Sequence, residues 1–106
     1  MDIQLKRGLL VVCVLAAIKD KDSYGYQMIK DMSPFVEISE STLYPILRRL
    51  EAAELLTVRT TEHNGRLRKY YHITELGRKR IELFQKDWDE IVSIHRFITK
   101  GDPPNE

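Results

Sequence analysis

The chain has 106 residues, the usual size of one domain, and it is 42% hydrophobic and 31% charged, a globular rather than a disordered composition. Seventeen Lys and Arg against sixteen Asp and Glu leave a formal charge of +1, which excludes a polybasic coat protein and an acidic tail but permits a local basic face. One cysteine excludes an internal disulfide framework, and the longest apolar run, Leu9 to Ile18, falls well short of a membrane span.

Lys6 and Arg7 precede that run as they would in a signal peptide, but no small-residue cleavage site follows and Lys19-Asp20-Lys21-Asp22 resumes charged sequence at once. The run therefore reads as a buried helix of a cytoplasmic protein, predicted over Lys6 to Lys19. It is apolar on almost every side, and such a helix must bury more than one face. In so small a domain the second face is expected to meet a partner chain, with Leu9 among the contacts.

Ser23 is predicted to cap a short second helix with Tyr26, Ile29 and Met32 on its inner side, closing before Pro34. A third helix runs through STLYPILRRLEAA, with Leu43, Ile46, Leu47 and Leu50 at helical spacing. Proline is tolerated in a first turn and costly further in, so Pro45 favours an N-cap at Ser41, or at Ser39 with a strained first turn.

LLTVRTT and LRKYYHI are both rich in β-branched and aromatic residues, and Asn64-Gly65 between them is a type I′ hairpin signal. A turn at that pair makes the numbers of facing residues sum to 129. Val58 then faces Tyr71 and Leu56 faces Ile73 on the apolar side, while Thr57/His72, Arg59/Tyr70 and Thr61/Arg68 lie on the open side. Thr74 is placed to cap a last helix over Glu75 to Ile98, whose stripe of Ile81, Phe84, Trp88, Ile91, His95 and Ile98 has the spacing of a helix-pairing seam. Residues 99–106 are expected as a disordered tail.

Three helices and then a two-stranded hairpin is the element order of a winged helix-turn-helix, with helix three as the recognition helix. The expected fold is mainly α with α+β character: a DNA-binding domain over 1–74 and a dimerisation helix over 75–98. YGYQMIK (Tyr24 to Lys30), ISESTLYPILRRLEAAELL (Ile38 to Leu56) and GRLRKYYHITELG (Gly65 to Gly77) also resemble the PadR family of bacterial repressors, over nearly the whole chain from Leu5 to Ile98. The length and single C-terminal helix are similar to the short subfamily, and the resemblance implies dimerisation through helices one and four.

Between Glu40 and Tyr70 six Lys or Arg face four Glu, so placement matters more than count. Ser41, Thr42 and Tyr44 open the recognition helix, whose first residues reach base edges or phosphates. Arg48 and Arg49 follow a turn later and suit phosphate, although Arg49 also suits bracing Glu51 or the wing. Arg66, Arg68 and Lys69 crowd the wing, and Tyr70 lies on its open face with a hydroxyl for phosphate.

Trp88 reads as interface packing from its stripe alone. The resemblance adds a second role, because in multidrug-binding members a tryptophan at the matching position stacks planar drugs in a pore at the dimer centre. The helix-one wall of such a pore maps onto Leu5, Gly8 and Val12, with Val92 beside Trp88. Other chemistry has little support. The three histidines lack metal-ligand spacing, no cofactor motif is present, and Asp20, Asp22, Gly25 and Asp31 match a calcium loop only until Tyr24 and the helical second half. There is no nucleotide loop, GxSxG or zincin motif, and Asp87, Asp89 and Glu90 read as a solvated arc, so no enzyme is expected. Cys13 reads as an unreactive buried thiol. The expected function is a homodimeric repressor on an inverted-repeat operator in double-stranded DNA, released by a planar aromatic ligand. The alternatives are a winged-helix protein-interaction module and, less supported, a DNA-bending protein.

Overall fold

The computed structural model describes residues 1–101. In chain order the elements are α1 (Ile3–Ala17), α2 (Gly25–Met32), α3 (Glu40–Ala52), β1 (Leu56–His63), β2 (Arg66–Ile73) and α4 (Glu75–Ile98). This is the winged helix-turn-helix order with a long last helix, and the fold class is α+β as expected.

The core is one cluster under the three-helix unit and the hairpin. Leu10, Val14, Leu15 and Ile18 of the α1 segment meet Met28 and Met32 of α2, Leu43, Ile46, Leu47 and Leu50 of α3, and Leu56, Tyr71 and Ile73 of the hairpin. Each side chain of Leu or Ile size removed from water contributes roughly 1.5–3 kcal/mol, so this cluster supplies most of the drive to fold. The hairpin pairs in the predicted register from Leu56↔Ile73 to His63↔Arg66. Its turn has φ of 52° at Asn64 and 77° at Gly65, the two positive values a type I′ turn requires.

The first three helices depart from the sequence reading at their ends. α1 starts earlier than Lys6, because the Asp2 carboxylate accepts from the Leu5 amide at 3.0 Å and caps it, and it closes at Ala17 rather than Lys19. Ser23 is not the cap of α2. It is buried and pairs backbone to backbone with Tyr71, adding a one-residue third strand beside β2 (Tyr71 N–H to Ser23 O, 2.8 Å). Tyr24 takes the cap position without a side-chain bond, and on α2 it is Met28 that is buried while Tyr26 is 67% exposed. For α3 the cap is Ser39, whose hydroxyl accepts from the Thr42 amide at 3.3 Å, and Pro45 lies inside the helix. Pro45 and Ser41, whose carbonyl loses its usual donor to the proline, both lie on the exposed arc of the helix.

α3 ends in a Schellman turn: Leu55 N–H donates to Leu50 O and Glu54 N–H to Glu51 O, both at 2.9 Å, with Glu54 at φ 63°. Thr74 then reaches back to this turn, donating its hydroxyl to Glu54 O at 2.8 Å and its amide to Leu55 O at 3.1 Å. The same hydroxyl accepts from the Gly77 amide at 3.1 Å and caps α4 as expected. One threonine thus fixes the exit of α3 to the entry of α4.

α4 runs 24 residues, about 36 Å of helix at 1.5 Å per residue. It packs against α1 and β2, and only Gly77 of it is fully buried. Within the predicted seam, Ile81 joins the chain's own core, Phe84 and Ile91 are half-buried, and Trp88, His95 and Ile98 are exposed. Thr99 to Gly101 close α4 with a second Schellman turn (Gly101 N–H to Arg96 O, 2.8 Å), so the part of the predicted tail that is described is ordered helix end. Residues 102–106, the remainder of that tail, lie outside the described residues.

Candidate nucleic-acid interface

Three pieces of the chain bear the residues singled out for DNA: the first turns of α3, its exposed arc, and the hairpin. Ser41 and Thr42 are exposed on the first turn of α3, beside the Ser39 cap. The Ser39 hydroxyl lies 3.0 Å from the Ser41 hydroxyl and 3.1 Å from that of Thr42, so three hydroxyls are gathered at one helix entrance. Tyr44 is half-buried and leans on α2, where a Cβ at Gly25 would collide with its phenol ring. Arg48 and Arg49 are exposed one turn on, and neither is held by an ion pair among the described residues. The bracing of Glu51 or the wing by Arg49 is not what the structure contains.

The hairpin register divides the wing residues between two faces. Arg66, Arg68 and Tyr70 alternate on the open face, whereas Lys69 and Leu67 share the parity of Tyr71 and face the α2–α3 side. Tyr71 itself is buried, as its place opposite Val58 requires, and burial pushes its phenol above the usual tyrosine range. It is a packing residue.

The open face holds a ladder that the sequence did not reveal. The Arg68 guanidinium lies 4.0 Å over the Tyr24 ring and donates to the Tyr70 hydroxyl at 3.3 Å. Tyr24 and Tyr70 meet edge to face at 5.5 Å, and the Arg59 guanidinium covers Tyr70 at 4.9 Å. Arg59 then donates to Asp22 at 3.2 Å, and His72 Nδ1 stands 2.8 Å from the other Asp22 oxygen. Alternating cations and rings therefore tie the wing to the residues before α2. Arg59/Tyr70 and Thr57/His72 were already legible as cross-strand pairs. Tyr24 and Asp22 were not, because the Ser23–Tyr71 bridge that brings them alongside β2 is a long-range pairing of single residues.

His72 chiefly, and Arg59 beside it, hold the Asp22 carboxyl below the usual carboxylate range. The sign follows: a carboxyl with a lowered folded value stabilises the fold above its unfolded value of about 3.9, and the contribution vanishes as pH falls through the lower folded value. Thermal melts of the native chain and Asp22→Asn are expected to differ at pH 6 and to converge once the pH has fallen below the lowered folded value. A constant difference across that range would place the Asp22 effect in its packing rather than its charge.

The proposed pore residues are spread along α1 and α4. Leu5 and Gly8 are exposed, Val12 is buried, Val92 is half-buried and Trp88 is 49% exposed. Leu9 is half-buried. No group of three or more metal-ligating side chains occurs among the described residues. Of the calcium-loop candidates, Asp22 is engaged by Arg59 and His72, and Asp31 lies on α2 accepting from Gln27 at 2.8 Å. Cys13 is half-buried rather than buried, and burial pushes its thiol up, away from the reactive thiolate. No described helix is long and apolar enough to cross a membrane.

Comparison with known proteins agrees with this arrangement. The model of the transcriptional regulator PadR-like family matches residues 14–83, more than half of the chain. An uncharacterised protein of Lysinibacillus sphaericus is 34% identical over 100 residues, covering 90% of this chain and 92% of that protein. A transcriptional regulator of Mycobacterium tuberculosis is 28% identical and covers 84% of each chain. The solved PadR family transcriptional regulator of Eggerthella lenta superposes with a TM-score of 0.83 at 29% identity, over 94% of this chain and 89% of that one. A chain with this fold and this exposed helix-and-wing surface, matched so extensively in sequence, belongs to the PadR-like family of transcriptional regulators.

Proposed function

We propose that the chain is a homodimeric repressor without enzymatic activity, acting in the cytoplasm on an inverted-repeat operator. The observation that carries this reading is the exposed entrance of α3, where Ser41 and Thr42 stand with Arg48 and Arg49 close behind, flanked by a wing whose Arg66 and Lys69 have no ion-pair partner among the described residues. Ser41, Thr42 and Tyr44 are assigned to the major groove, and Arg48, Arg49, Arg66, Lys69 and the Arg68–Tyr70 pair to the backbone.

The dimer reading rests on α4. Trp88, Ile94, Phe97 and Ile98 leave an apolar surface along its outer half, and Phe97 is 73% exposed. Soluble monomers rarely leave large apolar patches uncovered. A two-fold axis through α1 and α4 sets two recognition helices about 34 Å apart, one turn of duplex DNA. Sedimentation is expected to give a dimer at micromolar concentration. Gel shifts with the DNA upstream of the chain's own gene, under salt titration, are expected to show specific and salt-sensitive binding. A dimer without salt-sensitive affinity for any duplex would replace this reading with that of a protein-interaction module, and a stable monomer would remove the inverted-repeat geometry.

Release by a planar aromatic ligand rests on the half-exposed Trp88, with Leu5, Gly8, Val12 and Val92 of both chains as the walls of a slot on the axis. Trp88 is the only tryptophan, so its fluorescence is a direct reporter. Planar cationic dyes or phenolic compounds are expected to quench it saturably at about one per dimer, and Trp88→Ala is expected to keep the dimer and lose the ligand. Such a ligand alters DNA affinity only by binding two dimer geometries unequally. A broad panel that leaves the fluorescence unchanged would reduce Trp88 to interface packing.

A further inference from the structure

We propose that Tyr26 and Lys69 together grip one backbone phosphate of bound duplex DNA, in the cleft between α2, the start of α3 and strand β2. The proposal rests on the DNA-binding reading above and adds a contact from α2, an element outside the recognition helix and the wing.

The cleft has a volume of about 500 Å³. Tyr24, Tyr26, Tyr44 and Tyr71 line it with Gly25, Leu67, Arg68 and Lys69. Its ionisable lining is two cations and four phenols, with no carboxylate, so every charged or hydroxyl group in it suits an anion with only acceptor atoms. Another cleft with two cations, formed by Lys6 and Arg7 near the Ser39 cap, contains the Glu37 carboxylate, which opposes an anion.

Strand parity and the turn of α2 create this lining. Lys69 and Leu67 continue the face of Tyr71 past the end of the core, so their side chains project toward α2 rather than onto the open ladder. Tyr26 points outward from α2, 67% exposed, and lines the same cleft. Arg68 is committed to Tyr24 and Tyr70. Tyr26, Tyr44 and Lys69 have no side-chain hydrogen bond among the described residues, which leaves two phenol donors and an ammonium for a ligand. Leu67, 80% exposed, gives the cleft an apolar lip suited to a deoxyribose. A strand bordering the groove entered by α3 passes between α3 and the wing, and therefore over this cleft.

The test uses a duplex selected by the full-length dimer from a randomised pool. The Tyr26→Phe variant removes one exposed hydroxyl, so its melting temperature is expected to match the native chain. Its affinity is expected to fall about tenfold or more, by similar factors on the selected duplex and on random-sequence DNA, with the salt slope unchanged because no cation is lost. Neutral methylphosphonates are then placed one at a time along each strand. At one position in each half-site the native chain is expected to lose affinity while Tyr26→Phe and Lys69→Met lose little more, since the partner of both side chains is already gone. Native affinity in Tyr26→Phe, or additive losses at every methylphosphonate position, overturns the grip and leaves the DNA-binding reading in place. Failure to select any duplex overturns both.

Discussion

The Gly77→Ala variant is expected to lose about 1–3 kcal/mol of stability, the range for forcing a methyl into a packed site. For a domain of this size that lowers the melting temperature by roughly 4–8 °C per kcal/mol. Gly77 sits in the first turn of α4, where a Cβ would run into the Leu55 carbonyl oxygen and the Ile73 side chain. The oxygen cannot retreat, because it accepts the Thr74 amide at 3.1 Å and belongs to the Schellman turn that ends α3. The damage is therefore expected to spread from the α3–α4 junction to the dimer, weakening self-association along with the fold. Melting curves that coincide for native and Gly77→Ala would show that α4 can shift off Leu55 without loss, and the fixed junction argued above would be wrong.

The legible parts of the fold were those set by local chemistry. Asn64-Gly65 dictated a turn, and the turn dictated the register of every facing pair from Leu56/Ile73 to His63/Arg66. Thr74 and the stripe from Ile81 onward marked α4 to the residue at both ends. The misreading of α2 has its cause in pairing at long range. Ser23 looked like a cap because a serine before a short helix usually is one. In the folded chain its amide and carbonyl are taken by Tyr71, and Met28 rather than Tyr26 is in the core. At α3 the sequence left two caps open, Ser41 favoured by Pro45 and Ser39, and the local hydroxyl contacts among Ser39, Ser41 and Thr42 go with the second. Of the candidate site, the positions of Thr42, Arg48, Arg49 and Arg66 could be read from the element order. The ladder from Arg68 to Asp22 could not, because its two halves lie in segments that only the bridge brings together.

Replacing Arg66 and Lys69 together by alanine is expected to weaken binding to every duplex, operator and random sequence alike, by roughly a hundredfold at moderate salt. The two side chains lie on opposite faces of the hairpin, Arg66 beside the turn on the open face and Lys69 toward α2. They therefore reach different phosphates, and their losses are expected to add. A dimer carries four such cations, and each phosphate contact contributes about 0.9 to the slope of log affinity against log salt. The slope is then expected to become shallower by roughly three to four, so native and variant affinities converge as salt rises. Thr42→Ala is the complementary change. Its hydroxyl stands at the exposed start of α3, and its loss is expected to reduce operator affinity while leaving random-sequence affinity nearly native, narrowing the specificity ratio. Neither substitution touches the core cluster, so melting temperatures are expected to stay within a few degrees of native. Anisotropy titrations of each variant at several salt concentrations separate the two effects. A double variant whose salt slope equals the native one would remove the wing from the backbone, and a Thr42→Ala with an unchanged specificity ratio would remove that side chain from the bases.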